Sequence, residues 1–118
     1  MKTVLIYDSK NYISRFLKFR LKHAYKFIKF TNGKFSNYKL SKAYTYENFD
    51  LIIVVVYEDL DLVHLFDLFN LKIPVIVASE NTGLLHLLSG NLGTTTVDLN
   101  RIKTDLFEDF ETKITLLS

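Results

Sequence analysis

The sequence predicts an α/β fold, a three-layer α/β/α sandwich on a five-stranded parallel sheet. Three observations carry that prediction. Short aliphatic or β-branched runs alternate with helix-period segments five times along the chain, the pattern of strands joined by crossover helices. Two of the runs, Asp50–Tyr57 and Lys72–Ala78, are rich in Ile and Val with little alternation, as central parallel strands covered on both faces are. The 118 residues, 48% hydrophobic and 24% charged with a single Pro, suit one domain over residues 1–118 with one core.

Lys2–Tyr7 is the first strand, aliphatic and ending at Asp8. Asn11–Tyr25 reads as a helix, with Ile13, Phe16, Leu17, Leu21 and Ala24 inward, Arg15, Lys18 and Lys22 outward, and Ser9 or Asn11 as cap. Lys26–Phe30 alternates polar and apolar residues, a strand with one wetter face. Thr31-Asn32-Gly33 is a turn, and Lys34–Glu47 a weakly amphipathic helix. After the strand Asp50–Tyr57 comes a helix over Asp59–Phe69, with Leu62, Leu65, Phe66 and Phe69 inward. Lys72–Ala78 follows, with Pro74 near its start. Asn81–Ser89 is a short helix, Gly90–Gly93 a loop, and Thr94–Leu99 a less apolar strand suited to a sheet edge. Asn100 is placed to cap a last helix whose stripe is Ile102, Leu106, Phe107, Phe110, Ile114 and Leu117.

Several function classes have little support. Without cysteine there is no disulfide framework and no thiolate site, which fits a reducing, cytoplasmic setting. The N-terminal run is too short for a signal peptide, and the longest apolar run, Leu51–Tyr57, is far short of a membrane span. His23, His64 and His86 fall on three separate helices without ligand spacing, so no metal is expected. No Gly-rich phosphate loop is present, and Asp8–Tyr12 lacks the hydroxyl- and glycine-rich pattern that holds a flavin phosphate, so no cofactor is expected.

Charge is distributed unevenly. Residues 1–46 carry eleven Lys/Arg against the single acid Asp8, a net +10; residues 47–118 carry four Lys/Arg against twelve acids, a net −8. Basic residues interleaved with Tyr12 and Phe19 suit phosphate contact and base stacking. The competing account sets the basic first helix beside the last, with its Asp105, Glu108, Asp109 and Glu111, and the second beside the third, with Asp59, Asp61 and Asp67. That account is preferred, and nucleic acid is not the expected partner.

From end to end the chain resembles the response-regulator receiver (CheY-like) family. The resemblance rests on Lys2–Asp8, on Ala24–Ile28 followed by Thr31-Asn32-Gly33, on Phe49–Val54, and on Ile73–Ser79. It implies a flavodoxin-like sheet of order 2-1-3-4-5, with the first and last helices on one face and the other three opposite. It also implies a phosphorylation site at the carboxyl ends of the strands, and most of that site is missing. The family's acidic pair matches Asp8 and Ser9, which loses one carboxylate, and Mg²⁺ leans on carboxylates in strict octahedral geometry. The phosphoacceptor aspartate matches Val55, which has no nucleophilic atom. The hydroxyl is kept as Ser79. The lysine falls near Leu99, with Arg101 the nearest base, and the switch aromatic falls near Thr96.

The expected function is therefore a pseudo-receiver in bacterial-type signalling, with no catalysis of its own. It would bind a protein partner, with a second copy of the chain among the candidates. The surface implied is the fourth helix, fifth strand and fifth helix, with Leu84, Leu85, Leu87, Leu88 and Thr96, because four leucines within Gly83–Leu88 exceed one apolar stripe. The alternative is a small-molecule or anion-binding domain whose crevice is lined by Asp8, Ser9 and Ser79.

Overall fold

The computed structural model of the chain describes residues 2–30, 49–63, 73–92 and 94–118. The elements in chain order are β1 (Lys2–Tyr7), α1 (Tyr12–Leu21), β2 (Tyr25–Phe30), β3 (Leu51–Val56), β4 (Val75–Ser79), α2 (Thr82–Leu92), β5 (Thr95–Asp98) and α3 (Lys103–Leu117). Residues 59–63 are also helical. The strands form one sheet in the order β2-β1-β3-β4-β5, parallel throughout, which is the flavodoxin-like arrangement.

Side-chain alternation splits the core into two layers. Val4, Ile6, Leu51, Ile53 and Val55 face α1 and α3, where they meet Leu17, Leu21, Leu106, Phe110 and Ile114. Leu5, Tyr7, Ile52, Val54 and Val77 face the other way, toward Leu85 and Leu88 of α2 and Phe49. β3 is buried at all six positions and β4 at all five, which is why those runs lack a polar face. Register is set at the entry to β3. The Asp50 carboxylate accepts the Thr3 N–H at 2.8 Å and the Asp50 N–H donates to the Thr3 carbonyl at 2.8 Å, which aligns Val4 with Leu51 and Tyr7 with Val54.

Several boundaries differ from the sequence expectation. α1 ends at Leu21 instead of running to Tyr25, because Tyr25 is needed opposite Lys2 in β2; Ala24 is exposed in the intervening turn. The helix expected to stop at Ser89 continues to Leu92 across Gly90, where an added Cβ would meet nothing within 4 Å. Asn100 does not cap α3. Its side chain donates to the Glu80 carbonyl and to Asp98 Oδ1, each at 2.9 Å, tying the β5–α3 turn to the end of β4. Ile102 is the N-cap and lies exposed, outside the stripe assigned to it. The turn at Thr31–Gly33, the helix over Lys34–Glu47 and most of the helix over Asp59–Phe69 lie outside the described residues.

β5 is an edge strand, as its composition suggests. Its Thr96 carbonyl is covered from α3: Lys113 Nζ donates to it at 2.5 Å and is itself held by Asp109 one helical turn away.

Candidate functional site

The carboxyl ends of β1, β3 and β4 lie side by side, the place where parallel sheets of this order hold ligands. Tyr7 pairs with Val54 and Ala78 with Val55, so Asp8, Val55 and Ser79 gather along one edge as expected. Ser9 is exposed in the turn after β1. The Leu99 N–H donates to the Ser79 carbonyl at 3.0 Å, while its half-buried side chain packs on the α1/α3 layer. Arg101 is exposed.

The side chains of Asp8 and Ser79 at this edge are committed to the protein itself. Asp8 is buried, and its Oδ2 accepts the N–H groups of Ile13 at 2.7 Å and Ser14 at 2.9 Å, while Oδ1 accepts that of Asn11 at 3.0 Å. These are donors at the start of α1 that have no partner within the helix. Asp8 therefore does the capping expected of Ser9 or Asn11. Asn11, at φ 63°, supplies the left-handed turn that brings the helix start over the carboxylate, a conformation asparagine tolerates, and its side chain receives the Ser14 hydroxyl. A fourth donor comes from across the edge: the Tyr57 hydroxyl reaches Asp8 Oδ1 at 2.6 Å.

Tyr57 is the residue that the sequence reading missed. It lies two residues past Val55, so strand alternation returns it to the face that carries Asp8, and that signal was available. Its ring is met edge-on by Tyr12, with centroids 6.2 Å apart, and Lys10 Nζ lies 5.0 Å from its centroid. The phenol is held well above its ordinary range, first by burial and then by its bond to Asp8. It thus stays a proton donor, and its hydroxyl sits against the carboxylate oxygen that a cation would need.

A second tyrosine–carboxylate pair lies behind the first. Tyr7 donates to Asp61 Oδ1 at 2.8 Å, and Asp61 Oδ2 accepts the N–H groups of Tyr57 at 2.8 Å and Glu58 at 3.1 Å. Asp61 was read as a surface acid facing a basic helix, and the structure corrects this. It is buried at the third position of the helical turn over residues 59–63 and reaches back to the amide before that turn, half of a capping box. Burial, and after it the bond to Asp61, pushes the Tyr7 phenol upward as well.

Ser79 is equally engaged. Its buried hydroxyl donates to the Val56 carbonyl at 2.9 Å and accepts the Asn81 N–H at 3.1 Å. Val55 is fully enclosed among Ile53, Ala78 and the α1/α3 layer. Among the described residues, no group of three or more His, Asp or Glu side chains is placed to hold a metal ion.

The candidate interface is narrower than the sequence implied. Leu85 and Leu88 are buried against the sheet, and Leu84 is half-buried beside them. Of the four leucines only Leu87, 57% exposed, belongs to the surface. Thr96 is half-buried and borders a cleft of about 190 Å³ between α2, β5 and α3, which is lined by His86, Ser89, Asp98, Arg101 and Lys113. That face is polar, with both signs of charge.

α1 and α3 are neighbours as expected, but among the described residues no ion pair joins them. Their contact is aromatic: Phe16 meets Phe107 edge-on at 5.9 Å, with Arg20 over Phe107 at 5.0 Å and Lys103 over Phe16 at 5.8 Å. No helix among the described residues is long and apolar enough to cross a membrane.

No family model matches the chain, and no curated protein matches it. Among solved structures it is similar to the crystal structure of CapF with the inhibitor 3-isopropenyl-tropolone, at 19% identity over 81% of this chain, with a TM-score of 0.50. The chain spans 29% of the length of that chain. At this identity the likeness shows a shared fold.

Proposed function

We propose that this chain is a receiver-like module that takes no phosphoryl group and acts by binding another protein. The observation that carries the reading is the state of the strand ends. Where a receiver keeps its acceptor aspartate there is a buried hydrocarbon, Val55, and the one remaining acid, Asp8, already accepts four hydrogen bonds from its own chain. Phosphoryl transfer needs an oxygen nucleophile and charge neutralisation around the transferring group. Val55 offers no nucleophile, and Tyr57 stands against the carboxylate on which a metal would rest.

The proposed binding face is formed by α2, β5 and α3, with Leu87 as its apolar contact and the polar cleft beside Thr96 as its surround. The module would serve regulation in a signalling setting and would catalyse nothing. The alternative, a small-molecule or anion site at the strand ends, draws less support because the Asp8 and Ser79 side chains have their partners within the fold.

The test is an amide-resolved NMR titration with Mg²⁺ and beryllofluoride, and then with acetyl phosphate. The expected result is no saturable shift at Asp8, Val55 or Ser79. Saturable shifts there would overturn the reading. Capture of a partner by the native chain and its loss in Leu87→Glu would support the face, whereas equal capture by both would remove it.

A further inference from the structure

We infer that the outer face of α1 and α3 is a self-complementary surface on which two copies of this chain associate. The inference is independent of the face proposed above. Four of the large apolar side chains most exposed among the described residues lie on this one layer: Tyr12 and Phe19 of α1, and Ile102 and Leu116 at the two ends of α3, at 66%, 75%, 69% and 77% exposure. An exposed apolar set of this kind marks a contact surface more often than a solvent face.

Helical spacing arranges these residues in two stripes. On α1 and its C-cap the stripe runs Tyr12, Arg15, Phe19, Lys22, so aromatic and cation alternate. On α3 it runs Ile102, Asp105, Glu108, Leu116, with acids between two apolar ends. α1 holds Arg15, Lys18 and Arg20 and no acid. α3 holds four acids and two lysines, and one acid, Asp109, is taken by Lys113. The two helices sit side by side, yet among the described residues no ion pair joins them and none holds Arg15, Asp105 or Glu108. The opposite charges face outward together instead of toward each other.

Two-fold symmetry uses such a face in one way only. An axis running along the helices, between them, lays α1 of each copy over α3 of the other, so cations meet acids twice. An axis running across them stacks α1 on α1 and α3 on α3, like charge on like, which is unfavourable. The open cleft of about 580 Å³ between α1 and α3 is bordered by Tyr12, Phe16, Phe19 and Leu106 together with Arg15, Arg20 and Lys103, and it lies along the favoured axis, where acids of the second copy's α3 can approach.

The occupant is a second copy in preference to nucleic acid because the same face carries the exposed acids Asp105 and Glu108, which a polyanion would meet, and because the inner rings are already covered. Arg20 and Lys103 lie over Phe107 and Phe16, which leaves those faces closed to base stacking. At 1.5 Å rise per residue and about 10 Å width, the two helices present a footprint of roughly 350–400 Å² per copy, about half the ~800 Å² per partner of a standard interface. The dimer is accordingly weak, and its charge contacts make it salt-sensitive.

Sedimentation of the full chain at low and high salt tests this. A mass moving between 13.8 kDa and twice that value with concentration is expected, with dissociation promoted by salt. Arg15→Glu with Lys22→Glu should weaken association at least tenfold, and so should Asp105→Lys with Glu108→Lys. All four changes together should restore it to within about threefold. Phe19→Ser should weaken it without a change of charge. Circular dichroism melts verify folding, and these exposed positions should leave the melt within a few degrees. A monomer at all concentrations in low salt would overturn the inference, as would a dimer indifferent to both reversals or one abolished by Leu87→Glu. A monomeric chain whose α1 amides shift with poly-glutamate or single-stranded DNA would assign the face to another occupant and overturn it equally.

Discussion

Asp8 gives the sharpest test of whether the strand ends are a structural joint or a remnant ligand site. Replacing it by Ala removes the acceptor for the Ile13 and Ser14 amides and for the Tyr57 hydroxyl, while the Asn11 N–H keeps the Asp8 carbonyl at 3.1 Å. Loss of a helix cap costs about 1 kcal/mol. A half-buried phenol left without its acceptor costs about 1–3 kcal/mol more, and the bonds lost are to a charged group, the stronger kind. The expected loss is about 3–4 kcal/mol, which at about 4 °C per kcal/mol lowers the Tm by roughly 12–16 °C for a domain near this size. Asp8→Asn keeps an acceptor of the same shape and should cost about half as much. Tyr57→Phe leaves the amides satisfied and should cost about 1–2 kcal/mol, and in combination with Asp8→Ala the losses should be less than additive. Urea and thermal unfolding, with and without Mg²⁺, measure all of these. An Asp8→Ala protein within about 0.5 kcal/mol of the parent refutes the cap argument. The refutation is stronger if the parent is stabilised by Mg²⁺ and the variant is not.

Other outcomes follow from the same bonds. Val55→Asp should not create a phosphorylatable protein: mass spectrometry after acetyl phosphate and Mg²⁺ should show no added phosphoryl group, and stability should fall by about 3 kcal/mol or more, because the new carboxylate enters a sealed apolar layer. Asp61→Ala should cost about 2–4 kcal/mol in urea unfolding, since it removes the acceptor of the Tyr7 hydroxyl bond and of two amides at the β3 exit. The Tyr7 and Tyr57 phenols are held above the ordinary 10.0. Folded values above unfolded ones mean that this stabilisation is intact below about pH 10 and drains away as pH rises beyond it. Phenolate absorbance should show late-titrating tyrosines that ionise with unfolding, and Tyr57→Phe should lower their number by one.

The legible part of this chain was the part governed by periodicity. β3 and β4 show as unbroken Ile and Val because both of their faces are covered, and the sheet order follows once strands and helices alternate. The less legible part depends on long-range pairing. α1 was read four residues too long because Lys22–Tyr25 has no local signal against helix; the reason it stops is the pairing of Tyr25 with Lys2 in β2. Asn100 looked like a cap because its type favours caps, yet it bridges two loops that only the folded sheet brings together. Asp61 has a local role, capping the Glu58 amide three residues earlier, but its burial against the Tyr7 hydroxyl 54 residues earlier has no local signal. The leucines of α2 were counted correctly, but how many the sheet would cover depends on how closely the helix packs.

Reopening the strand ends would take several concerted changes, because the missing groups have been replaced by bonds and not by empty space. An acid at Val55 would find Asp8 already bonded to Tyr57 and to the start of α1. Freeing Asp8 from Tyr57 would leave its three amide bonds, and a metal would still face one carboxylate and the neutral Ser9. The Ser79 hydroxyl, which in a working receiver must be free to approach a phosphate, is held between the Val56 carbonyl and the Asn81 amide. Each contact stabilises the one beside it: Asp61 orients the Tyr57 amide, Tyr57 reaches Asp8, and Asp8 fixes α1. Among the described residues, exposed charged groups such as Arg15, Asp105 and Glu108 stand on the outer helix faces, and a binding role needs such groups at the surface.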